Sequence, residues 1–107
     1  MVDSPFDVRL QVGDVTRAEP FPETNKEAMM KLWIDIGDET VQSAAQLGHQ
    51  YDPQSLVGTQ LLCATNLDPI TIAGFTSEVL TVGVPDDNGE VILLRPDSTV
   101  TAGATLF

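Results

Sequence analysis

Few side chains in this sequence are equipped for chemistry. His49 is the only histidine and Cys63 the only cysteine, so a nucleophile and base pair would need those two to meet in space. Cys63 stands inside Leu61-Leu62-Cys63-Ala64 as a small apolar residue would, which predicts a buried, unreactive thiol. Asp86-Asp87-Asn88-Gly89 offers the oxygens a calcium ion uses but lacks the alternating spacing of an EF-hand loop. A hairpin turn, with Asn88-Gly89 supplying positive φ angles, accounts for the same residues. The chain has no glycine-rich phosphate loop, serine elbow or paired histidines. The expectation is a protein that is not an enzyme and uses no metal or other cofactor. What remains is binding. Burial of Leu32 and Ile34 turns the ring of Trp33 away from the interior, where it stacks a base, grips an apolar side chain, or packs under Pro20–Pro22 or at a subunit interface. Lys26 and Lys31, with Arg9 and Arg17, are the basic residues of the first half, as suited to pairing with nearby acids as to holding phosphate.

The elements that must position these residues are mostly strands. Val8, Leu10 and Val12 alternate with Arg9 and Gln11, a half-buried strand that Gly13 interrupts with a bulge or bend. Two prolines in Glu19-Pro20-Phe21-Pro22-Glu23 remove two backbone donors, which predicts a surface connection. Met30, Leu32, Ile34 and Ile36 mark a second strand, Gly37-Asp38-Glu39 its turn, and Thr40–Gln46 a third strand. Asp52 as N-cap, Pro53 at the first helical position and Gly58 at the end predict one or two helical turns. The apolar run Gln60–Ala64 reads as a strand covered on both sides, followed by a loop through Asp68-Pro69. Val79–Val84 and Val91–Leu94 flank the Asn88-Gly89 hairpin. Short strands with one short helix between the third and fourth predict an all-β fold, a small closed Greek-key barrel. The tail from Arg95 carries Val100, Leu106 and Phe107, and so is expected to pack, against a second copy of the chain.

With 107 residues the chain has the length of one domain. Five Lys+Arg against sixteen Asp+Glu give a net charge of −11, which excludes the basic footprint usual in nucleic-acid binders. The acids punctuate apolar segments and form no long run, so they read as the solvated face of a folded domain. Such a surface repels itself at ordinary salt but is tolerated at about 1 M, where the screening length is about 3 Å; a halophilic source is the expectation. No apolar run is long enough to span a bilayer, and Met1-Val2-Asp3-Ser4-Pro5 lacks the pattern of a signal peptide, which predicts a cytoplasmic protein without membrane insertion.

Taken in order, several segments carry a family pattern. These are Val12-Gly13, Arg17 to Glu23, Lys31 to Gly37, Ser43-Ala44-Ala45-Gln46, Tyr51, Leu56-Val57-Gly58 and Asn66-Leu67. Ala73-Gly74-Phe75-Thr76-Ser77-Glu78-Val79-Leu80, Val84-Pro85-Asp86, Gly89 to Leu94 and Pro96-Asp97 complete it, from about Phe6 to Phe107. The chain resembles the tRNA-binding-domain family of OB folds, and within it the small homodimeric branch of CsaA-type protein-export chaperones. The resemblance implies a five-stranded OB barrel over about residues 6–94 with N- and C-terminal dimerisation extensions, the latter at about 95–107, in a single domain 1–107. It implies binding of unfolded or precursor polypeptide, or of tRNA. Carried over by motif, the binding residues are Ser43, Ala45, Gln46, Asn66, Ser77 and Glu78, with Lys26 and Trp33 at the edge. The chain departs from the family in having Gln11 where relatives carry arginine, Glu27 after Lys26, and Ile70-Thr71 in place of a basic pair. Fewer phosphate contacts weaken RNA attraction, whereas burial of apolar side chains, at about 25 cal/mol per Å², does not depend on those charges. The sequence therefore ranks the chaperone ahead of the tRNA binder.

Overall fold

A computed structural model describes residues 7–107. Readings that fall on residues 1–6, namely the signal-peptide pattern and the N-terminal extension with Phe6, lie outside the described residues. The elements run β1 (Leu10–Pro20), β2 (Met29–Asp35), β3 (Thr40–Gln46), α1 (Pro53–Leu56), β4 (Gln60–Ala64), β5 (Ile70–Ile72), β6 (Phe75–Ser77), β7 (Leu80–Thr81), β8 (Gly83–Pro85) and β9 (Val91–Leu93). The main sheet has the order β3-β2-β1-β4-β7, and β5-β6 and β8-β9 are two-stranded hairpins. All its pairings are antiparallel. The five strands curl into a nearly closed barrel of the OB kind, as the sequence implied.

β1 is twice the length expected. Its first half pairs with β4, from Leu10↔Ala64 to Asp14↔Gln60, and its second half with β2, from Asp14↔Asp35 to Pro20↔Met30. Gly13 does not break the strand. A Cβ there would lie 2.2 Å from Ile34 Cγ2, so glycine is needed for the close approach of β1 to β2. The bulge instead falls at Thr16, between the pairs Val15↔Ile34 and Arg17↔Trp33. Glu19 and Pro20 also belong to the sheet. Pro20 is tolerated as the last residue of β1 because Phe21 N, not Pro20, donates to Met29 O at 2.8 Å.

Inward-facing Met30, Leu32 and Ile34 of β2 pack with Val15, Val41, Leu61, Cys63 and Leu93. Helix α1 closes one end of this core with Leu56, which has no exposed surface. Asp52 occupies the N-cap, but its side chain makes no capping bond; the residue contributes its carbonyl, which accepts from Ser55 N. Closure between β3 and the later strands mixes backbone and side-chain bonds in place of a regular ladder. Gln42 O accepts from Glu78 N and Val79 N, Ser77 Oγ accepts from Ala44 N at 3.0 Å, and Ser43 Oγ meets Thr81 Oγ1 at 2.8 Å.

Three expectations need correction in the second half. The segment Val79–Val84 is split between β7 and β8; between them Val82 N donates to Leu62 O of β4 while Val82 O accepts from Leu94 N, so the chain passes from one pairing to the next. Asn88 does not adopt positive φ; Gly89 alone does, at 80°, and Asp86 Oδ1 holds the turn by accepting from Asn88 N and Glu90 N. The stretch beyond Asp68-Pro69 is a hairpin, β5-β6, turned by Ala73 (φ 47°) and Gly74 (φ 81°). The tail packs as expected, but along its own chain: Gly103 N donates to Val12 O at 2.7 Å, Val12 N to Ala104 O at 2.9 Å, and Leu106 N to Leu10 O at 2.8 Å.

A candidate binding face outside the barrel

Cross-strand partners share a face, and the outer face of β1, β2 and β3 is read directly from the register. Arg17 lies opposite Trp33 and Glu19 opposite Lys31; on the other side Trp33 faces Gln42, Lys31 faces Ala44 and Met29 faces Gln46. The β5-β6 hairpin lies over this surface. Its Phe75 packs edge-on against Phe21 (5.5 Å between centroids) and Trp33 (5.7 Å), while Met29 and Ile72 complete a second apolar cluster separate from the barrel core.

Cations cover these rings. The Arg17 guanidinium sits 4.6 Å above the Trp33 ring and donates to the Glu19 carboxylate. Lys31 Nζ lies 4.8 Å from the Phe21 centroid and 5.4 Å from that of Phe75. Such contacts contribute about 0.5–1 kcal/mol each at exposed sites. Oriented to satisfy both neighbours, the Gln42 amide accepts from Trp33 Nε1 at 3.2 Å and donates to Thr76 O at 3.0 Å. The face ends in a groove of about 460 Å³ lined by Glu23, Thr24, Asn25, Lys26, Met29, Ile72 and Ala73.

The residues named from the sequence are distributed unevenly about this face. Trp33 is on it, turned outward as anticipated yet half-buried under the hairpin, and Lys26 is exposed in the groove. Gln46 is exposed and donates to Glu27 O at 2.8 Å. Ala45 points the other way, against the barrel core. Ser43 is fully buried, so its hydroxyl serves the bond to Thr81 and is not offered at the surface. Ser77 is spent on the seam, accepting from Ala44 N and donating to Val79 O, and Glu78 Oε1 accepts from Gln42 N at 2.9 Å. Asn66 lies elsewhere, accepting from Arg9 N and donating to Asp7 O at the entrance to β1. Arg17, Lys31, Gln42, Phe21 and Phe75 were absent from the set. Their convergence depends on the Thr16 bulge and on the unread hairpin, and no spacing in the sequence displays either.

Catalytic chemistry finds little footing among the described residues. Cys63 has no exposed surface, its Sγ donates to Gln11 O at 3.6 Å, and burial pushes its thiol up from the usual 9.0 to about 11. His49 instead stands between Glu90 (3.3 Å) and Glu27 (3.9 Å). No three His, Cys, Asp or Glu side chains among the described residues are grouped to hold a metal ion. Because the folded thiol holds its proton more tightly than the unfolded one, stability from this site is complete below about pH 9 and lost as pH rises toward 11. Iodoacetamide is expected to leave native Cys63 unmodified at pH 8 and to label it rapidly only after denaturation; rapid native labelling would contradict the sealed position.

Comparisons with known proteins converge on one family. The family described as a putative tRNA binding domain matches residues 10–105. The methionine–tRNA ligase of Methanocaldococcus jannaschii is 36% identical over 97 residues, covering 91% of this chain and 15% of the ligase; the chain thus spans a small part of that relative. The crystal structure of the chaperone CsaA from Bacillus anthracis superposes with a TM-score of 0.85 at 37% identity, over 94% of this chain and 91% of that one. The CsaA chaperone protein from Picrophilus torridus does so with a TM-score of 0.85 at 31% identity, over 94% and 92%.

Proposed function

Since the chain belongs to the putative tRNA-binding-domain family, we propose that it binds tRNA through the outer face of β1, β2 and β3. One observation carries this reading: of five Lys+Arg, three (Arg17, Lys26 and Lys31) gather on that face or at its end, interleaved with Trp33, Phe21 and Phe75. Positive charge alternating with aromatic rings is the arrangement that single-stranded and looped RNA uses. The sequence ranked polypeptide binding first because the cations are so few. Their gathering among aromatic rings reverses that order: Glu19 pairs with Arg17 and Glu23 stands beside Lys26, but stacking of bases on the rings and on the guanidinium does not depend on net charge.

A second reading, a CsaA-like protein-export chaperone that binds unfolded or precursor polypeptide, is supported by the two CsaA neighbours and by the partly apolar groove beside Met29 and Ile72. In either reading two copies pair, Phe107 being 98% exposed on the described chain and free to cover a second one, and the protein works in the cytoplasm where tRNA and nascent chains occur.

Filter binding of bulk tRNA from 0.05 to 2 M KCl, beside aggregation assays with an unfolded client, tests the ranking. With at most three cations available, log K is expected to fall against log salt with a slope no steeper than about −3. Client protection without tRNA binding at any salt would replace the first reading by the second.

A further inference from the structure

We propose that the Arg17–Trp33 pair is the seat of one unpaired nucleobase, which stacks on the free face of the Arg17 guanidinium to complete a base–guanidinium–indole pile. This rests on the tRNA reading and specifies what part of the RNA the face takes. Trp33 is fixed from two sides, by the edge of Phe75 and by the Gln42 amide at its Nε1, so it presents a preset plane. Arg17 lies on that plane at 4.6 Å and shields it. The guanidinium is thereby engaged on its indole side. The Glu19 carboxylate engages an Nη2 proton, which lies in the guanidinium plane, and so occupies an edge and leaves the second face open; the side chain remains 63% exposed.

The same carboxylate decides the ligand chemistry. Glu19 offsets the charge of Arg17, so attraction for a phosphate is weakened, while the planar surface that a neutral base stacks upon is unaffected. What Arg17 retains for a partner is a plane more than a charge. Bases within a duplex are already stacked and paired, so the ligand must carry an unpaired base, as loops and ends of structured RNA do. Lys31 cannot play this part, since an ammonium group has no face.

Trp33 is the only tryptophan, so its emission reports this site alone. The full chain would be titrated with bulk tRNA and, separately, with a long blunt RNA duplex at equal nucleotide concentration. Saturable quenching by tRNA and not by duplex is expected. Arg17→Lys keeps the charge and removes the plane; it is expected to bind tRNA about tenfold more weakly and to lose the quenching, with far-UV circular dichroism and melting temperature unchanged. Equal quenching by duplex and tRNA overturns the inference without the need of any variant. So does an Arg17→Lys protein that binds and quenches like the original, which leaves tRNA binding itself intact. If the unmodified chain fails to retain tRNA on a filter, the tRNA reading falls, and this inference with it.

Discussion

Phe75→Ala is expected to lower stability by about 3–5 kcal/mol, the range for deleting a buried phenyl group. Phe75 is 8% exposed and is the β5-β6 side chain that touches both Phe21 and Trp33. The hairpin it anchors has three cross-strand pairs, too few to be stable alone, so loss of the ring is relieved by the hairpin lifting off the face. Trp33 then meets water over its former Phe75 side, and Lys31 loses one of its two rings. Three consequences follow together: the melting temperature falls by roughly 15 °C, Trp33 emission shifts to the red, and tRNA affinity drops because the pile at Arg17 is no longer braced. Phe75→Leu restores most of the volume without the aromatic edge and should recover the larger part of the stability. An unshifted Trp33 emission in Phe75→Ala would mean that the hairpin is held by something other than this ring.

That prediction depends on features with unequal traces in the sequence. β2 and β3 were legible almost to the residue because Met30, Leu32, Ile34 and Val41 obey a strict alternation with one face buried. The family pattern added the barrel, including the place of α1. β1 was misread at both ends of its second half. Gly13 and the Pro20–Pro22 pair look like interruptions, while the actual irregularity sits at Thr16, an unremarkable residue whose bulge resets which side chains face outward. A one-residue slip exchanges the two faces of a strand, so without the bulge Arg17 cannot be assigned beside Trp33. β5-β6 left almost no pattern, because Ile70, Thr71, Ile72 and Thr76 are exposed or half-covered and the turn uses Ala73, an unusual residue for positive φ.

The residues carried over by motif do not gather on one face as the strands gather into one barrel. Short polar residues carried over by motif, Ser43 and Ser77 among them, are spent in this chain on closing the barrel seam. The proposed face is made by Arg17, Lys31, Trp33 and Phe75, which the fold gathers from β1, β2 and β6. Net charge sums over the whole surface, whereas a ligand responds to what lies within a screening length, so it cannot display a local gathering of Arg17, Lys26 and Lys31.

Gly103→Ala should have the second large effect, where the tail meets the end of β2. Gly103 has φ 91°, and a Cβ there would stand 2.2 Å from Ile36 O, a backbone atom that cannot swing aside. Gly37, with φ 103°, makes the reciprocal approach: its own Cβ would lie 2.8 Å from Ala102 O. The β2–β3 turn and the tail therefore touch backbone to backbone. Left-handed φ alone costs an alanine about 1–2 kcal/mol, and the overlap adds more than any rotamer change can relieve. The chain has a cheaper escape, which is to release the tail. That forfeits the bonds of Gly103 and Leu106 to β1 and the bond from Val12 N, each with a net contribution of about 1 kcal/mol. The expected loss is thus capped near about 3 kcal/mol, with the barrel still folded. Amide exchange separates this from general destabilisation: the Val12 and Leu106 amides should exchange freely in Gly103→Ala, while Leu32 and Ile34 in β2 stay protected to the level of global unfolding. Equal acceleration of all four would show that the tail is an integral part of the barrel and cannot leave it alone. Glycine at position 103 is dictated by a contact 67 residues away, so no local turn signal announces it.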